Sequence, residues 1–298
     1  MGSAVAAIAI GLVVTGLASA EGPVRSTSGN LEGVFNAGLL PDTLAKKKPS
    51  RASFTLAAKF RTLDGSHPPA LRDFRLEADE HVSVAVKGIP TCGQGDIRGK
   101  TSRAAEAACR SALIGSGMIG FEVTAPMQRP LPKGPRLLVF NGGVKNGVTT
   151  LYVHTYLEGP VSAALIATVK IRRVRNRHLG LLVVAKTPQF ADGNGSITSF
   201  NLNLTRGVFA SCPDRSLDAR ATAAFADGAR LEARFSSDCT PTRKRTARRA
   251  GSLSSHLTTD RMLRNRRSRL SIRTTMSSKN LTTPIWLSAG GSHEKTMG

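Results

Sequence analysis

Apolar residues recur at every second position through most of this chain, and no other feature restricts its fold so tightly. Phe54, Leu56, Ala58 and Phe60 alternate with Ser53, Thr55, Ala57 and Lys59; Phe74, Leu76 and Ala78 alternate with Asp73, Arg75 and Glu77; Val82, Val84 and Val86 alternate with His81, Ser83 and Ala85. Successive side chains of an extended strand point to opposite faces, so each run reads as a half-buried strand. Strands are likewise expected over 118–124, 136–141, 148–157, 164–173, 179–186 and 197–205. The clearest hairpin sets Ala219, Ala221, Ala223 and Phe225 against Leu231, Ala233 and Phe235, with Asp227-Gly228 at the turn. Asp79-Glu80 reads as another turn, and Asn141-Gly142-Gly143 and Asp192-Gly193-Asn194-Gly195 carry turn chemistry.

One helix is expected, over Thr101–Ile114. It places Ala105, Ala108, Cys109, Ala112 and Leu113 on one face, and Gly115 follows as its stop. The fold class is therefore all-β and mainly antiparallel: a β-sandwich or flattened barrel of about ten to eleven strands with one short helix.

Residues 1–20 read as a signal peptide, with an uncharged apolar run from Ala4 to Leu17 followed by Ala18-Ser19-Ala20. The run is too short to span a bilayer comfortably. No Lys or Arg precedes it, which leaves an N-terminal anchor as the alternative. Residues 21–51 read as a spacer ending in Lys46-Lys47-Lys48-Pro49, and 52–239 as the β domain. Residues 240–298 read as a disordered basic tail; 243–298 contribute +11 of the formal net charge of +22.

Export makes the four cysteines, Cys92, Cys109, Cys212 and Cys239, disulfide partners. Three pairings are open, and Cys92 with Cys109 and Cys212 with Cys239 close the shortest loops. No C-x-x-C or C-x-x-H spacing starts a zinc site. Gly115-Ser116-Gly117-Met118-Ile119-Gly120 matches a dinucleotide fingerprint, but it follows a helix and opens a strand, the reverse of what a pyrophosphate site needs. It reads as a helix stop and turn. No cofactor or metal is expected, and no nucleophile elbow, zinc-protease motif or P-loop is present.

Two groups of residues remain as candidate ligand contacts. Tyr152, His154 and Tyr156 share one strand face; they read either as a polar site or as a solvated face with a histidine bonded beneath a loop. Lys170, Arg172, Arg173, Arg175 and Arg177 gather at one hairpin with His178, either as a solubilising edge or as a contact for an anionic polymer. Nucleic acid fits less well, because no aromatic side chains interleave the charges.

His67-Pro68-Pro69-Ala70-Leu71 after Asp64-Gly65-Ser66, Gly88-Ile89-Pro90-Thr91-Cys92, the segment Ala107 to Leu113, and Phe225-Ala226-Asp227-Gly228 together resemble a family of uncharacterised secreted proteins of high-GC Gram-positive bacteria. The resemblance covers roughly Leu44 to Cys239 and implies export and a shared fold, with no activity attached. Members usually stop soon after the last cysteine, so the residues beyond it stand as an extension, and the stretch from Thr205 to Cys212 is shorter than usual. The expectation is an extracellular, non-catalytic binding or structural domain contacting an anionic cell-wall polymer or acidic glycan. The alternative is a secreted hydrolase whose active site is dispersed in sequence.

Overall fold

Almost every run of alternating residues becomes a strand of one antiparallel sheet that curls until its two edges meet. The computed structural model describes residues 22–123, 134–158, 162–175 and 178–242. Residues 1–20, the expected signal peptide, and the residues beyond Thr242 lie outside them. The first six strands are β1 (Val24–Ser28), β2 (Leu31–Leu40), β3 (Thr43–Ala45), β4 (Ser50–Thr62), β5 (Leu71–Ala78) and β6 (Val82–Val84). Two short helices follow, α1 (Gln94–Ile97) and α2 (Ser102–Ala108). The chain continues through β7 (Leu113–Val123), β8 (Arg136–Lys145), β9 (Val148–Leu157), β10 (Ala163–Arg173) and β11 (Leu181–Lys186). It ends in β12 (Gly195–Ala210), β13 (Ser216–Phe225), β14 (Arg230–Asp238) and β15 (Thr240–Thr242).

The main sheet runs β1-β2-β4-β12-β7-β8-β9-β10-β11-β5-β13-β14, with β6 joined to the far end of β12. The edge strands β1 and β14 face each other. The Glu232 amide donates to Ser26 Oγ across the seam at 3.1 Å, and Gly33 leaves room there for Leu231, whose Cδ1 would lie 2.7 Å from an added Cβ. Of the two expected architectures, this nearly closed sheet is the barrel.

Several expectations change. The segment 21–51 is not a spacer: β1, β2 and β3 lie within it, and Leu31 and Phe35 are core residues. Its glycines and Asn36 obscured the alternation of a strand that pairs along its whole length with β4. The helix ends at Ala108, because Cys109 is already tethered to Cys92 and a short 3₁₀ turn leads straight into β7. Gly115 and Gly117 therefore lie inside a strand and not at a helix stop. They let its backbone approach β12; a Cβ on Gly117 would stand 1.8 Å from the Asn201 carbonyl oxygen.

Asp79-Glu80 is a corner, not a hairpin, since β6 leaves β5 and pairs with β12. Asn141-Gly142-Gly143 forms a bulge within β8, where Asn141 Oδ1 accepts from the Gly143 amide at 2.9 Å. The turn of that hairpin is Asn146-Gly147, both at positive φ. At the tail, Thr240–Thr242 still belongs to the fold and pairs in parallel with β3. Both short-loop disulfides form, Cys92–Cys109 and Cys212–Cys239.

The barrel interior divides by side-chain size. Phe60 packs against Phe35, Phe225 and Phe200, with ring centroids 5.7, 5.2 and 6.3 Å away, and fills the side formed by β2, β4, β13 and β14. The inward positions of β9, β10 and β11 carry smaller aliphatic residues, among them Val153, Ala167, Val183 and Ala185. That half is not filled.

Candidate functional site

The unfilled half is an apolar cavity of about 180 Å³. Packed interiors hold few voids larger than one water, so this space is a feature of the fold. Its wall is built from residues of nine strands, β4 to β12. Leu151, Val153 and Thr155 come from β9, and Leu165, Ala167, Val169 and Ile171 from β10. Pro188 and Phe190 lean over one end, where Phe190 meets Phe121 edge-on at 5.0 Å. Val153, Leu165, Ala167, Val183 and Ala185 point inward yet stay only half buried, because the hollow is on their open side.

Among the described residues no ionisable side chain lines the cavity, and the side-chain polar groups on its wall are the hydroxyls of Thr155 and Thr187. The outward face is the opposite, with Lys59, Arg61, Arg75, Lys170, Arg172, Glu232 and Arg234 exposed. Barrels that cross membranes carry an apolar band outside, and this arrangement is the reverse. Among the described residues no helix is long and apolar enough to cross a membrane.

His154 lies on the other side of the same wall. Its neighbours Leu138 and Phe140 on β8 also face outward, and the segment from Cys92 to Ala112 covers them with Ile97 and Ala105. His154 is fully buried there, and its Nε2–H donates to the Lys100 carbonyl at 3.0 Å. Its Nδ1 has no hydrogen-bond partner among the described residues. Burial pushes the imidazole pKa below its ordinary value, outweighing the Lys100 hydrogen bond. Tyr152 and Tyr156 flank it on the same face, half buried. The histidine therefore supports the disulfide-tied cover and has no access to the cavity.

Of the basic hairpin, Lys170, Arg172, Arg173 and Arg175 are all exposed. Lys170 and Arg172 project from the outer face of β10, and Arg175 is exposed beyond it. Arg173 instead donates to the Glu80 carbonyl at 2.6 Å. Arg177 lies outside the described residues. Cross-strand register sets Lys170 and Arg172 beside Val184 and Leu182 on β11, then Arg75 and Glu77 on β5. Glu77 is already held by Arg220 through Nε at 2.8 Å.

A second, polar crevice of about 380 Å³ opens at the end carrying the β13–β14 turn, between His67, Ser196, Asn30 and Asp227. Its hydroxyl and imidazole do not pair: Ser196 Oγ donates to the Pro68 carbonyl at 2.6 Å, and His67 Nε2 lies 3.3 Å from the Glu122 carbonyl. Cys92, Asp96 and Cys109 lie close together, but the two sulfurs are bonded to each other and Asp96 accepts from the Gly93 amide at 2.8 Å.

The sequence reading missed the cavity. An inward strand face reads the same whether it packs a core or lines a hollow. The available signal was the absence of phenylalanine from β9, β10 and β11, whose inward positions hold only Val, Ala, Leu, Ile and Thr. Fold and cavity together define a nearly closed β-barrel with an apolar interior. Searches of family profiles, curated proteins and solved structures found no match to this chain.

Proposed function

We propose that this chain is a secreted, non-catalytic binding protein whose barrel encloses a small apolar molecule or a short length of hydrocarbon chain. The carrying observation is a cavity of about 180 Å³ walled almost wholly by hydrocarbon. An apolar cavity of about 150 Å³ stays dry and accepts benzene, so this one is large enough for a ligand and too apolar to favour water. At ~24 cal/mol per Å³, leaving it empty costs on the order of 4 kcal/mol. That is a large share of the ~5–15 kcal/mol that stabilises a domain, and a bound ligand offsets it.

The hydrolase reading has less support. The buried histidine is separated from the cavity by the barrel wall, and the cavity offers no acid, base or nucleophile pair. The test is titration of the purified protein with N-phenylnaphthylamine, whose fluorescence rises in apolar surroundings, together with mass spectrometry of solvent extracts. Saturable binding at one site supports the reading; no saturable binding, with no co-purified ligand, rejects it. Lys170, Arg172 and Arg175, exposed and without an ion pair among the described residues, support a second contact on the exterior, with an anionic cell-wall polymer or acidic glycan.

A further inference from the structure

We infer that the cavity selects a neutral ligand with one hydrogen-bonding group, an alcohol or an ester, seated at Thr155. This rests on the reading that the cavity is the binding site. Thr155 is 5% exposed, lines the cavity from β9, and its Oγ1 is buried with no hydrogen-bond partner among the described residues. A buried hydroxyl left unpaired is unfavourable, and valine would fill the same place in the strand without that cost. Its cross-strand neighbours Leu137 and Leu165 also line the cavity and offer nothing to bond. A ligand hydroxyl or ester oxygen supplies the missing partner.

Position gives the ligand a direction. Thr187, the other hydroxyl of the wall, lies where β11 ends, towards the Pro188–Phe190 end, as Thr155 does near the end of β9. The opposite end is lined by Val82, Val84, Ile171, Leu181 and Val208, all hydrocarbon. The polar group therefore sits near the Pro188–Phe190 end and the tail runs towards the disulfide-bearing end. With no cation on the wall, a carboxylate or phosphate would lose its hydration without gaining a counter-charge. The ligand class is a short neutral alcohol or ester and not a free fatty acid.

The experiment measures displacement of N-phenylnaphthylamine by octanol, octane and octanoate from the wild-type protein and from Thr155→Val. Octanol affinity should fall about five- to tenfold in the variant, the loss of one hydrogen bond, while octane binds at least as well as before. Thr155→Ser should keep the preference for octanol. Octanoate at neutral pH should bind the wild-type protein at least tenfold more weakly than octanol. Equal changes for octanol and octane in Thr155→Val would overturn the assignment of Thr155, and octanoate binding as tight as octanol would overturn the restriction to neutral ligands. Failure of the wild-type protein to bind either the dye or octane would instead overturn the cavity itself as the site.

Discussion

Phe200 stands edge-on to Phe74, with centroids 5.2 Å apart and planes at 90°, and this pair is the partition between the filled and hollow halves of the barrel. Both rings line the cavity on one side. On the other, Phe200 leans on Phe60 and through it on Phe35 and Phe225. Edge-to-face pairs add about 0.5–1.5 kcal/mol each beyond simple burial, so the partition is a fixed wall.

Filling the hollow should abolish binding without harming the fold. Ala167→Phe places a ring in the cavity from β10. Dye affinity should fall at least tenfold, and stability should hold or rise by about 0.5–2 kcal/mol, as in other cavity-filling substitutions. Thr168→Phe, on the outer face of the same strand, should leave dye binding unchanged. Fluorescence titration and thermal melting of both variants check this.

The covered histidine should make stability fall in mild acid. Burial lowers the folded-state pKa of His154 below its ordinary value of 6.5, so the unfolded chain takes up the proton more readily. Its contribution is complete above that value and is lost as pH drops from there towards the folded pKa. His154→Gln keeps a donor for the Lys100 carbonyl and removes the titration. The melting temperature of the wild-type protein should therefore decline more steeply than that of the variant between about pH 6.5 and 5; parallel curves would count against this role.

Non-reducing peptide mapping of secreted material should recover Cys92 with Cys109 and Cys212 with Cys239. The bonds span 17 and 27 residues, and loops of this size contribute ~2–4 kcal/mol each. Replacing Cys92 and Cys109 together by Ala should loosen the helical cover over His154 more than the barrel. Hydrogen exchange of the 94–112 amides should rise while the β4–β12 ladder stays protected.

Replacing Lys170, Arg172 and Arg175 by Ser should weaken binding of the protein, cut after Thr242, to a teichoic-acid-like polymer more than removing three scattered arginines does. Affinity should fall steeply with added salt. Equal losses from both sets would reduce the hairpin to a solubilising edge. Arg173 is left in place because its bond to the Glu80 carbonyl ties the β10–β11 end to the β5–β6 corner.

Strand positions were readable because inward and outward residues alternate so regularly, and the Ala219–Phe235 hairpin appears as its sequence suggests. Boundaries failed where a glycine served the backbone rather than a turn. Gly117 permits close approach to Asn201, whereas Asn146-Gly147, the real turn, stands between strands that its neighbours Gly142 and Gly143 seemed to end earlier. The run Leu137-Leu138-Val139-Phe140 did carry a signal for the outer cover, since a strand apolar on both faces is buried on both. Thr155 was legible only as one hydroxyl on an otherwise aliphatic face, and its meaning depends on space that emerges only when nine strands are assembled.

The seam between β1 and β14 joins the first strand of the barrel to one of its last, some two hundred residues along the chain. Such distant pairing makes folding slow, and the enclosure does not exist in any fragment of the chain. During synthesis the N-terminal strands must wait, with their aliphatic faces uncovered, until the C-terminal hairpin emerges. The moment of closure is then also a moment at which a hydrophobic guest can be trapped, so the occupant of a freshly made molecule is set by what surrounds it as the last strand arrives.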